Sequence, residues 1–550
     1  MRVLRICLAL IAVAVVASAC SIPYPPCELD AVRYPSGARL RGDSLRLGVI
    51  NASPLFTSDL PDPLRQTQAS IAVLDDVRWG RVEPEPPHNG IHTYEWDDES
   101  VALDTRVHAY QQAGFELVMV LRAWNTWARS VAPQGGLAAA GASTPPKPDN
   151  QGDYAAWIAA VVERYDADGI EDAPNLLDVD GDGQPDPVRY FQIETEAVTG
   201  VWWQSANANT ATGDYLDLLR SARTAAKAAN PDAQILLAGI PALDLLDGYP
   251  SSAGLEDVVR NINPAVCGAI VAYDQLLAAH DAYDIAVVHS AADYTGLFTL
   301  ADWVQTLAGR DVPVWVNGGT SAPALTGDPT SLSVNPLFPV RGEAFWSSIQ
   351  NVFDAQHQQV ERWYRAEQAK LAFKKWVFAA WSGFDVLVLG LEQDRPQYEN
   401  ENLGQRDLAF QGILDPADGF SVPGQRPAVP SLALAQAQLS GYSHLQRLQG
   451  LGAGVQAFEF MVEGLPVYAL WYDDGVAQGP NDAPAAIEIQ LPVRAPQLTA
   501  MIAPTERGQT GPIIEILTPT DGLLSLTLTE TPIILRGEWV ATFLPQIVRP

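Results

Sequence analysis

The stretch VRYFQIETE (188–196) places a short apolar run directly before two carboxylates. It lies between two segments whose apolar residues recur at the spacing of one helical face. These residues are Trp157, Ile158, Val161, Val162 and Tyr165 before the stretch, and Tyr215, Leu218, Leu219 and Ala222 after it. Asp214 is a candidate N-cap for the second helix. A strand with a helix on either side in the sequence is typical of a parallel sheet.

The same alternation of apolar runs and helical segments extends to about residue 450. The runs are LRLGVI (45–50), SIAVLDDVRW (70–79), ELVMVL (116–121), VRYFQIE (188–194), AQILLAGI (233–240), YDIAVVH (283–289), VPVWV (312–316) and FDVLVLG (384–390). Eight strands separated by helices predict an α/β fold, a closed (β/α)8 TIM barrel over residues 44–450. The first run is not followed by a glycine-rich phosphate loop, which argues against a dinucleotide-binding sheet.

Beyond residue 450 the pattern changes to strict alternation of apolar and polar residues. In LSLTLTETPIIL (524–535), Leu524, Leu526 and Leu528 fall on one face of a strand. FEFMVEGLPVYALWYDDG (458–475) predicts a hairpin that turns near Glu463-Gly464. Residues 451–550 are therefore predicted to form a C-terminal antiparallel β-sandwich.

The amino terminus has the pattern of a secretory signal peptide over residues 1–19. Arg2 and Arg5 precede an apolar segment that ends in small residues directly before Cys20. This boundary resembles the lipobox of bacterial lipoproteins, which implies that Cys20 carries lipid and anchors the protein to the outward face of the bacterial cell membrane. Ordinary cleavage with an unmodified Cys20 is the alternative. Residues 20–43 are rich in proline and polar residues and are predicted to form a tether.

The charge of the chain limits its partners. It contains 65 acidic and 34 basic residues, for a formal net charge of −31. A surface of this sign repels nucleic acid and anionic lipid headgroups, so a membrane contact is expected only through the N-terminal lipid. Cys27 and Cys267 can form a disulfide outside the cytoplasm. No cysteine–histidine spacing indicates zinc, and no motif indicates an organic cofactor.

The loop DVDGDGQPD (178–186) has the spacing of a calcium site. Its acidic residues Asp178, Asp180, Asp182 and Asp186 surround a glycine, Gly183, that permits a sharp turn. Carboxylates at this spacing offer the oxygen ligands that Ca²⁺ requires. The glutamate that would complete an EF-hand is replaced by Arg189. The loop is predicted to bind one structural calcium ion, and a solvated acidic turn is the alternative.

In a (β/α)8 barrel the functional residues lie at the carboxyl ends of the strands. The polar and aromatic residues predicted there are Trp124, Asn125, Glu194, Thr195, Glu196, Trp202, Trp203, His289, Asn317, Trp381, Glu392 and Asp394. Indole rings stack on the apolar faces of pyranose rings, and carboxylates bind sugar hydroxyls or protonate glycosidic oxygens. The predicted partner is therefore a glycan, either an oligosaccharide or a polysaccharide.

Several segments resemble clan A glycoside hydrolases, the group that includes β-xylosidases, β-galactosidases and endoglycanases. VRWGRVEPEPPHNGIHTYEWDDESVALDTRVHAYQQAGFELVMVL (77–121) is similar to their second and third strands, and residues 190–239 are similar to their fourth and fifth. The resemblance implies that Glu196 occupies the position of the catalytic acid/base. It also implies three departures: Thr195 replaces an asparagine, Ala291 replaces a tyrosine after His289, and Gly318 replaces the nucleophilic glutamate.

These departures leave three functional hypotheses. The barrel contacts glycan without the family's retaining mechanism, or it is an active glycosidase with a relocated second carboxylate, or it is a structural or assembly lipoprotein. The candidates for a relocated carboxylate are Glu194, Glu392 and Asp394. Strand alternation predicts that Glu194 and Glu196 face the same side, which favours Glu194. A salt bridge within the barrel mouth is the alternative for Glu194.

Overall fold

A computed structural model describes residues 45–51, 61–97, 102–133, 141–197, 202–207, 210–240, 272–290, 294–308, 312–319, 342–391, 394, 410–415, 425–476 and 478–537. Some predictions concern residues outside these ranges. They are the signal peptide (1–19), the tether (20–43), the end of the sandwich (538–550), and the assignments for Cys20, Cys27, Cys267, Ala291 and Glu392.

Eight parallel strands form the predicted barrel. They are β1 Arg46–Asn51, β2 Ile71–Arg78, β3 Glu116–Arg122, β4 Tyr190–Ile193, β5 Gln234–Leu236, β6 Ala286–Val288, β7 Val314–Gly319 and β8 Val386–Leu391. The order in the sheet is β5-β4-β3-β2-β1-β8-β7-β6. Isolated parallel bridges from Leu236 to Ile285 and from Ile240 to Val288 join β5 to β6 and close the barrel. All eight predicted strands are confirmed, and each overlaps its apolar run.

Helices surround the strands. They are α1 Pro61–Arg65, α2 Trp79–Val82, α3 Leu103–Gln112, α4 Gln151–Arg164, α5 Ala211–Ala229, α6 Leu297–Leu307, α7 Gly342–Gln350, α8 His357–Ser382 and α9 Ala428–Leu439. Residues 272–278 are also helical. The predicted apolar faces of α4 and α5 are buried. Asp214 is not the N-cap of α5, because this helix begins at Ala211; its carboxylate instead accepts hydrogen bonds from the hydroxyls of Ser205 and Thr210.

The strands are apolar on both faces because both faces are buried. Ile71, Val73, Val118, Val120 and Trp315 belong to a cluster inside the barrel. The residues between them along β2, β3 and β7 pack outward in a larger cluster that includes the helices. Runs without alternation are typical of parallel strands that are covered on both sides.

One irregularity in the barrel affects the site. The pairing of β2 with β3 shifts between Leu74 and Val77. Asp76 has a φ of 66°, in the left-handed region that non-glycine residues rarely adopt. A bulge of this kind redirects the side chains near the end of a strand.

The carboxy-terminal part is an antiparallel β-sandwich, as predicted. Its strands are β9 Tyr442–Arg447, β10 Val455–Val462, β11 Leu465–Tyr472, β12 Ala486–Pro492, β13 Leu498–Ile502, β14 Ile513–Leu517, β15 Leu523–Thr529 and β16 Ile533–Gly537. One sheet has the order β14-β13-β16-β11-β10-β9, and β12 pairs with β15. Because β9 pairs with β10, the sandwich strands begin before the predicted boundary at residue 451.

The predicted hairpin joins β10 to β11. Glu463 and Gly464 form its turn and have φ values of 52° and 78°. Two consecutive positive φ values match the twist of an antiparallel hairpin. Leu524 and Leu528 are buried and Leu526 packs against the same cluster, as the alternation predicted.

Aromatic side chains join the barrel to the sandwich. Phe378 and Trp381 of α8 pack edge to face against Phe458 of β10. Arg447 of β9 lies over the Trp381 ring at 5.2 Å from its centroid. The sandwich therefore contacts the barrel through the end of α8. Among the described residues, none of the helices is both long enough and apolar enough to cross a bilayer.

Candidate functional site

The candidate site lies where β4 ends and the chain turns away from the barrel. The strand stops at Ile193, and Glu194 and Glu196 have φ values of 64° and 43°. Left-handed backbone at a non-glycine residue costs on the order of 1–3 kcal/mol and is common at functional sites. Because strand geometry ends at Ile193, the period-two alternation used to pair the two glutamates does not apply to them.

Glu194 points into the protein and is fully buried. One carboxylate oxygen accepts a hydrogen bond from Arg122 Nε at 2.7 Å, and the other accepts one from the Ala123 backbone N–H. Burial raises the pKa of Glu194, while the Arg122 guanidinium and the Ala123 N–H act in the opposite direction. Glu194 therefore forms a buried salt bridge with Arg122, which was the alternative to a role as second carboxylate.

An arginine–carboxylate network extends from Glu194 along the strand ends; we define it as Asp76, Arg78, Arg122 and Glu194. The bulge in β2 allows Asp76 to accept a hydrogen bond from Arg78 Nε at 2.7 Å. Arg122 Nη1 lies 3.6 Å from the same carboxylate oxygen of Asp76. Arg122 Nη2 donates to the carbonyl of Trp202 at 2.9 Å. The network thus fixes the ends of β2, β3 and β4 to one another.

Two tryptophans lie on this network and are partly exposed. The Arg78 guanidinium is 5.2 Å from the centroid of the Trp124 ring, and that of Arg122 is 5.5 Å from the centroid of Trp202. Both rings are intermediate in burial. Each arginine covers one face of an indole and holds it by a cation–π contact. Such rings at a barrel mouth suit contact with a flat, weakly polar ligand surface.

Glu196 pairs with a histidine. Its Oε1 lies 2.9 Å from Nδ1 of His289, at the end of β6. The side chains are 20% and 18% exposed, so solvent reaches both. The structure therefore brings together two of the predicted site residues, from the ends of two different strands.

Two glycines make room for the His289 ring. A Cβ atom added at Gly239 would lie 1.9 Å from His289 Nε2, which is a severe overlap. A Cβ atom at Gly318 would lie 3.3 Å from Cδ2 of the same ring. Gly318 also has a φ of 103°, which L-residues rarely adopt. The imidazole therefore lies against the ends of β5 and β7, in space that side chains from those strands would need.

A polar layer lies within the barrel near these strand ends. Asn317 of β7 donates to Gln192 Oε1 of β4 at 2.6 Å, and Gln192 Nε2 donates to the carbonyl of Glu194. Asn317 is 2% exposed. It was predicted to contact substrate, but its amide group instead links β7 to β4 in the barrel interior.

Several other predicted contact residues also have structural positions. Trp203 is buried, and its indole N–H donates to the carbonyl of Ala211. Trp381 lies at the carboxyl end of α8, which leads into the amino end of β8, and it stacks on Phe298 at 4.5 Å. Trp203 therefore belongs to the core, and Trp381 is partly buried and packs against the core. Asn125 is buried and accepts hydrogen bonds from the backbone of Trp127 and Ala128.

Thr195 lies between the two glutamates and is intermediate in burial. This partly exposed position agrees with the contact role predicted for Thr195.

Asp394 was a candidate for a relocated second carboxylate, and its position argues against that role. Its carboxylate accepts hydrogen bonds from Arg365 at 2.8 Å and from Arg426 at 2.6 and 2.8 Å. Despite burial, the two arginines and the Gly412 N–H hold the pKa of Asp394 below its usual range. Asp394 is thus the centre of a buried ion cluster.

The acidic loop brings three of its four aspartates together. Carboxylate oxygens of Asp178, Asp180 and Asp186 lie within 4.8 Å of one another, while Asp182 is not part of this group. The same side chains also accept backbone hydrogen bonds within the loop, such as Gly183 N–H to Asp178 at 2.8 Å. Carboxylate oxygens at this separation are compatible with one Ca²⁺ ion.

Comparison with known proteins supports the fold. No family model and no curated protein matches the chain. A family 39 glycoside hydrolase from the gut symbiont Bacteroides cellulosilyticus WH2 is similar over 91% of this chain and 82% of its own, with a TM-score of 0.52 and 15% identity.

Two further solved structures are similar in the same way. The catalytic domain of GH30 xylanase C from Talaromyces cellulolyticus is similar over 91% of this chain and 98% of its own, with a TM-score of 0.50 and 9% identity. A glucosidase from Croceicoccus marinus is similar over 92% of this chain and 98% of its own, with a TM-score of 0.50 and 10% identity. The chain therefore has the (β/α)8 barrel and β-sandwich of clan A glycoside hydrolases, which confirms the fold that the sequence resemblance implied.

Sequence reasoning did not identify Asp76 or Gly239 as parts of the site. A signal for Asp76 was present, because two consecutive aspartates interrupt an apolar strand in SIAVLDDVRW. Gly239 ends the apolar run AQILLAGI, but nothing local indicates that a ring from β6 lies on it.

The different environments of the two glutamates predict different effects on stability. Glu194→Gln leaves Arg122 buried without its closest carboxylate and is expected to lower the free energy of unfolding by about 3–5 kcal/mol. Glu196→Gln is the matched control, and it should cost less than about 1 kcal/mol because its pair with His289 is partly exposed. Urea denaturation at pH 7 measures both, and equal midpoints for the two variants would contradict the assignment.

Proposed function

We propose that the barrel mouth binds a neutral glycan and that the protein does not carry out covalent, retaining glycoside hydrolysis. The observation that carries this proposal is the contact of Glu196 with the His289 imidazole, at 2.9 Å between Oε1 and Nδ1, while the described carboxylates Glu194 and Asp394 each pair with an arginine. A retaining mechanism requires two carboxyl groups about 5–5.5 Å apart.

The positions of the described candidates for a second carboxylate support this proposal. Gly318 has no side chain, and Glu194 and Asp394 are held by buried arginines. A buried carboxylate that already accepts several hydrogen bonds is a poor nucleophile, because attack would break its ion pair. Glu392 lies outside the described residues and remains the candidate for a relocated nucleophile in the alternative hypothesis.

Two features support a glycan ligand. Trp124 and Trp202 are partly exposed beside the arginine–carboxylate network, and an arginine fixes one face of each ring. A pre-positioned indole loses little conformational entropy when a pyranose ring stacks on its other face. The similar solved structures are described as a glycoside hydrolase, a xylanase and a glucosidase, and this supports a sugar ligand over other flat molecules.

The alanine variants Trp124→Ala and Trp202→Ala test glycan binding. Each is expected to weaken binding by about tenfold or more, because one stacking surface is lost. Trp96→Ala is a matched control: this ring is also partly exposed and also lies under an arginine, Arg164 at 4.9 Å, but it packs in the helix layer against Tyr165. The measurement is a glycan array followed by calorimetry on the glycans that bind.

A fluoro-glycoside inactivator tests the chemistry separately, because it forms a stable glycosyl-enzyme only where a nucleophile exists. No covalent adduct is expected by intact-mass spectrometry. Labelling of any carboxylate, together with sugar release that is lost in Glu196→Gln, would support the active glycosidase instead. Failure of the wild type to bind any glycan would leave the structural or assembly lipoprotein as the better hypothesis.

We also propose that the 178–186 loop binds a structural Ca²⁺ ion through Asp178, Asp180 and Asp186. Carboxylate oxygens of these three residues lie within 4.8 Å of one another, which supports this ligand set. Asp182 is not among the proposed ligands. Because an ion that binds only the folded state stabilises it, added calcium should raise the melting temperature. The loop precedes the amino end of β4, so the ion would lie at the opposite end of this strand from Glu196.

The calcium proposal is tested by melting curves with calcium and with chelator. The wild type should show a calcium-dependent increase in melting temperature, Asp180→Asn should lose most of it, and Asp182→Asn should retain more. For each variant, the melting temperature in calcium is compared with that of the same variant in chelator. This comparison removes the effect of hydrogen bonds that the substitution itself breaks within the loop. Identical curves in calcium and chelator for the wild type would mean that the loop is an acidic turn only.

We propose, finally, that Cys20 is the lipidated mature amino terminus, which would anchor the protein on the outward face of the bacterial membrane. The sequence boundary at residues 17–20 supports this, and a single anchor of this kind suits a protein that acts on extracellular or cell-surface glycan. Mass spectrometry of the membrane fraction should detect a lipid-modified N-terminal peptide beginning at Cys20. Cys20→Ser should move the protein to the soluble fraction, and an unmodified terminus at another residue would refute the proposal.

A further inference from the structure

One edge of the sandwich is apolar. β14 is the outermost strand of the six-stranded sheet, and among the described strands it pairs only with β13. Its residues Ile513, Ile514 and Ile516 are 56%, 61% and 55% exposed. Because side chains alternate along a strand, these isoleucines lie on both faces of β14. The outer side of β14 therefore offers backbone groups and apolar side chains together to a further strand.

The opposite edge of the same sheet is polar. β9 is the outermost strand there, and its exposed residues are Ser443, His444 and Gln446. The pairing of β9 with β10 also contains a register shift. Polar side chains and irregular register are devices that keep a free edge from pairing with another chain. β14 pairs with β13 in continuous register, and Glu515 is its one polar residue. Its composition is thus that of a strand that is covered in the folded protein.

A second copy of the chain is a poor occupant for this edge. Three isoleucines that are about half exposed offer on the order of 300 Å² of surface, whereas a stable interface buries about 800 Å² on each partner. The formal net charge of −31 also makes two copies repel each other. A segment of the same chain needs a smaller contact area, because its covalent linkage gives it a high effective concentration.

The chain supplies such a segment directly after β16. Gly537, the last residue of β16, pairs with Leu498 of β13, and Leu498 pairs with Leu517 of β14. The chain therefore leaves β16 at the end of the sheet where β14 also ends. The outer side of β14 is three strand spacings from β16, about 14 Å, which about five extended residues can cross. A strand that begins near residue 543 would then run antiparallel to β14.

We infer that residues 543–549, FLPQIVR, form an additional strand on the outer side of β14 and close this edge of the sandwich. These residues follow the described ranges, and their sequence fits the edge. Phe543 and Ile547 alternate with Leu544 and Val548, so apolar side chains would cover the isoleucines on both faces of β14.

The charges of the two segments are complementary. Arg549 is the one charged residue of the 543–549 segment, and Glu515 is the one charged residue of β14. Glu515 is exposed, so its carboxylate is accessible to a neighbouring strand. Opposite charges on adjacent strands favour pairing, whereas two β14 strands would bring like charges to one interface.

Pro545 defines which side of the segment faces β14. Proline has no N–H, so in sheets it is confined to edge positions where its nitrogen points away from the neighbouring strand. The N–H groups of a strand alternate in direction, and the N–H of Gln546 therefore points towards β14. The proline then lies on the new outer edge, where it prevents a further chain from pairing. The segment is thus a covering strand that protects β14 from self-association.

Hydrogen exchange at single-residue resolution tests this inference, because it measures the protection of individual backbone amides. Gln546→Pro removes the N–H that points towards β14, and Gln546→Ala is the matched control that retains it. The outer amides of β14 should be protected in the wild type and in Gln546→Ala. They should exchange at least about tenfold faster in Gln546→Pro. Unchanged exchange in β11 and β16 shows that the sandwich remains folded in all three proteins.

A chain truncated after Gly537 distinguishes the occupants of the edge. It should lose the protection of β14 as Gln546→Pro does, and it should self-associate in sedimentation because the apolar edge is open. The inference is overturned if β14 exchanges equally fast in the wild type and in the truncated chain. It is also overturned if protection of β14 rises with protein concentration together with a dimer, which would assign the edge to a second copy. These measurements use no glycan, so they are independent of the proposed function.

Discussion

The ion pair between Arg122 and Glu194 is the constraint on which the mouth of the barrel depends. A carboxylate with no exposed surface requires a cation and hydrogen-bond donors, and Arg122 and the Ala123 N–H provide them. The chain leaves strand geometry directly after Ile193, where the Glu194 carboxylate accepts these hydrogen bonds. That turn directs Glu196 towards β6 and brings the carbonyl of Trp202 onto Arg122.

The fold could be predicted from sequence because its signal is distributed over the whole chain. A parallel barrel buries both faces of every strand, so each strand leaves a short apolar run between helical segments. The sandwich buries one face only, and Leu524, Leu526 and Leu528 show this as alternation. Neither signal requires knowledge of any particular contact.

The site could be predicted only in part because it depends on contacts and local backbone. Glu194 was assigned to the mouth by strand alternation, which ends where its φ becomes positive. Trp203 is core, since a buried and a ligand-facing indole near the end of a strand have the same sequence pattern. Trp381 precedes β8 and so belongs to the opposite end of the barrel. By contrast, Glu196 and His289 lie at strand ends, as the sequence predicted. The contact between them could be found only from the structure, because the two residues are far apart in the chain.

The two glycines beside His289 also limit how this surface can change over time. A single substitution that adds a carboxylate at position 318 would meet the imidazole and would require a backbone conformation with a φ of 103°. A replacement of His289 alone would remove the imidazole but would leave the positive φ at position 318. Any side chain at this position therefore requires two coupled changes, one in the ring that lies beside Gly318 and one in the backbone of β7.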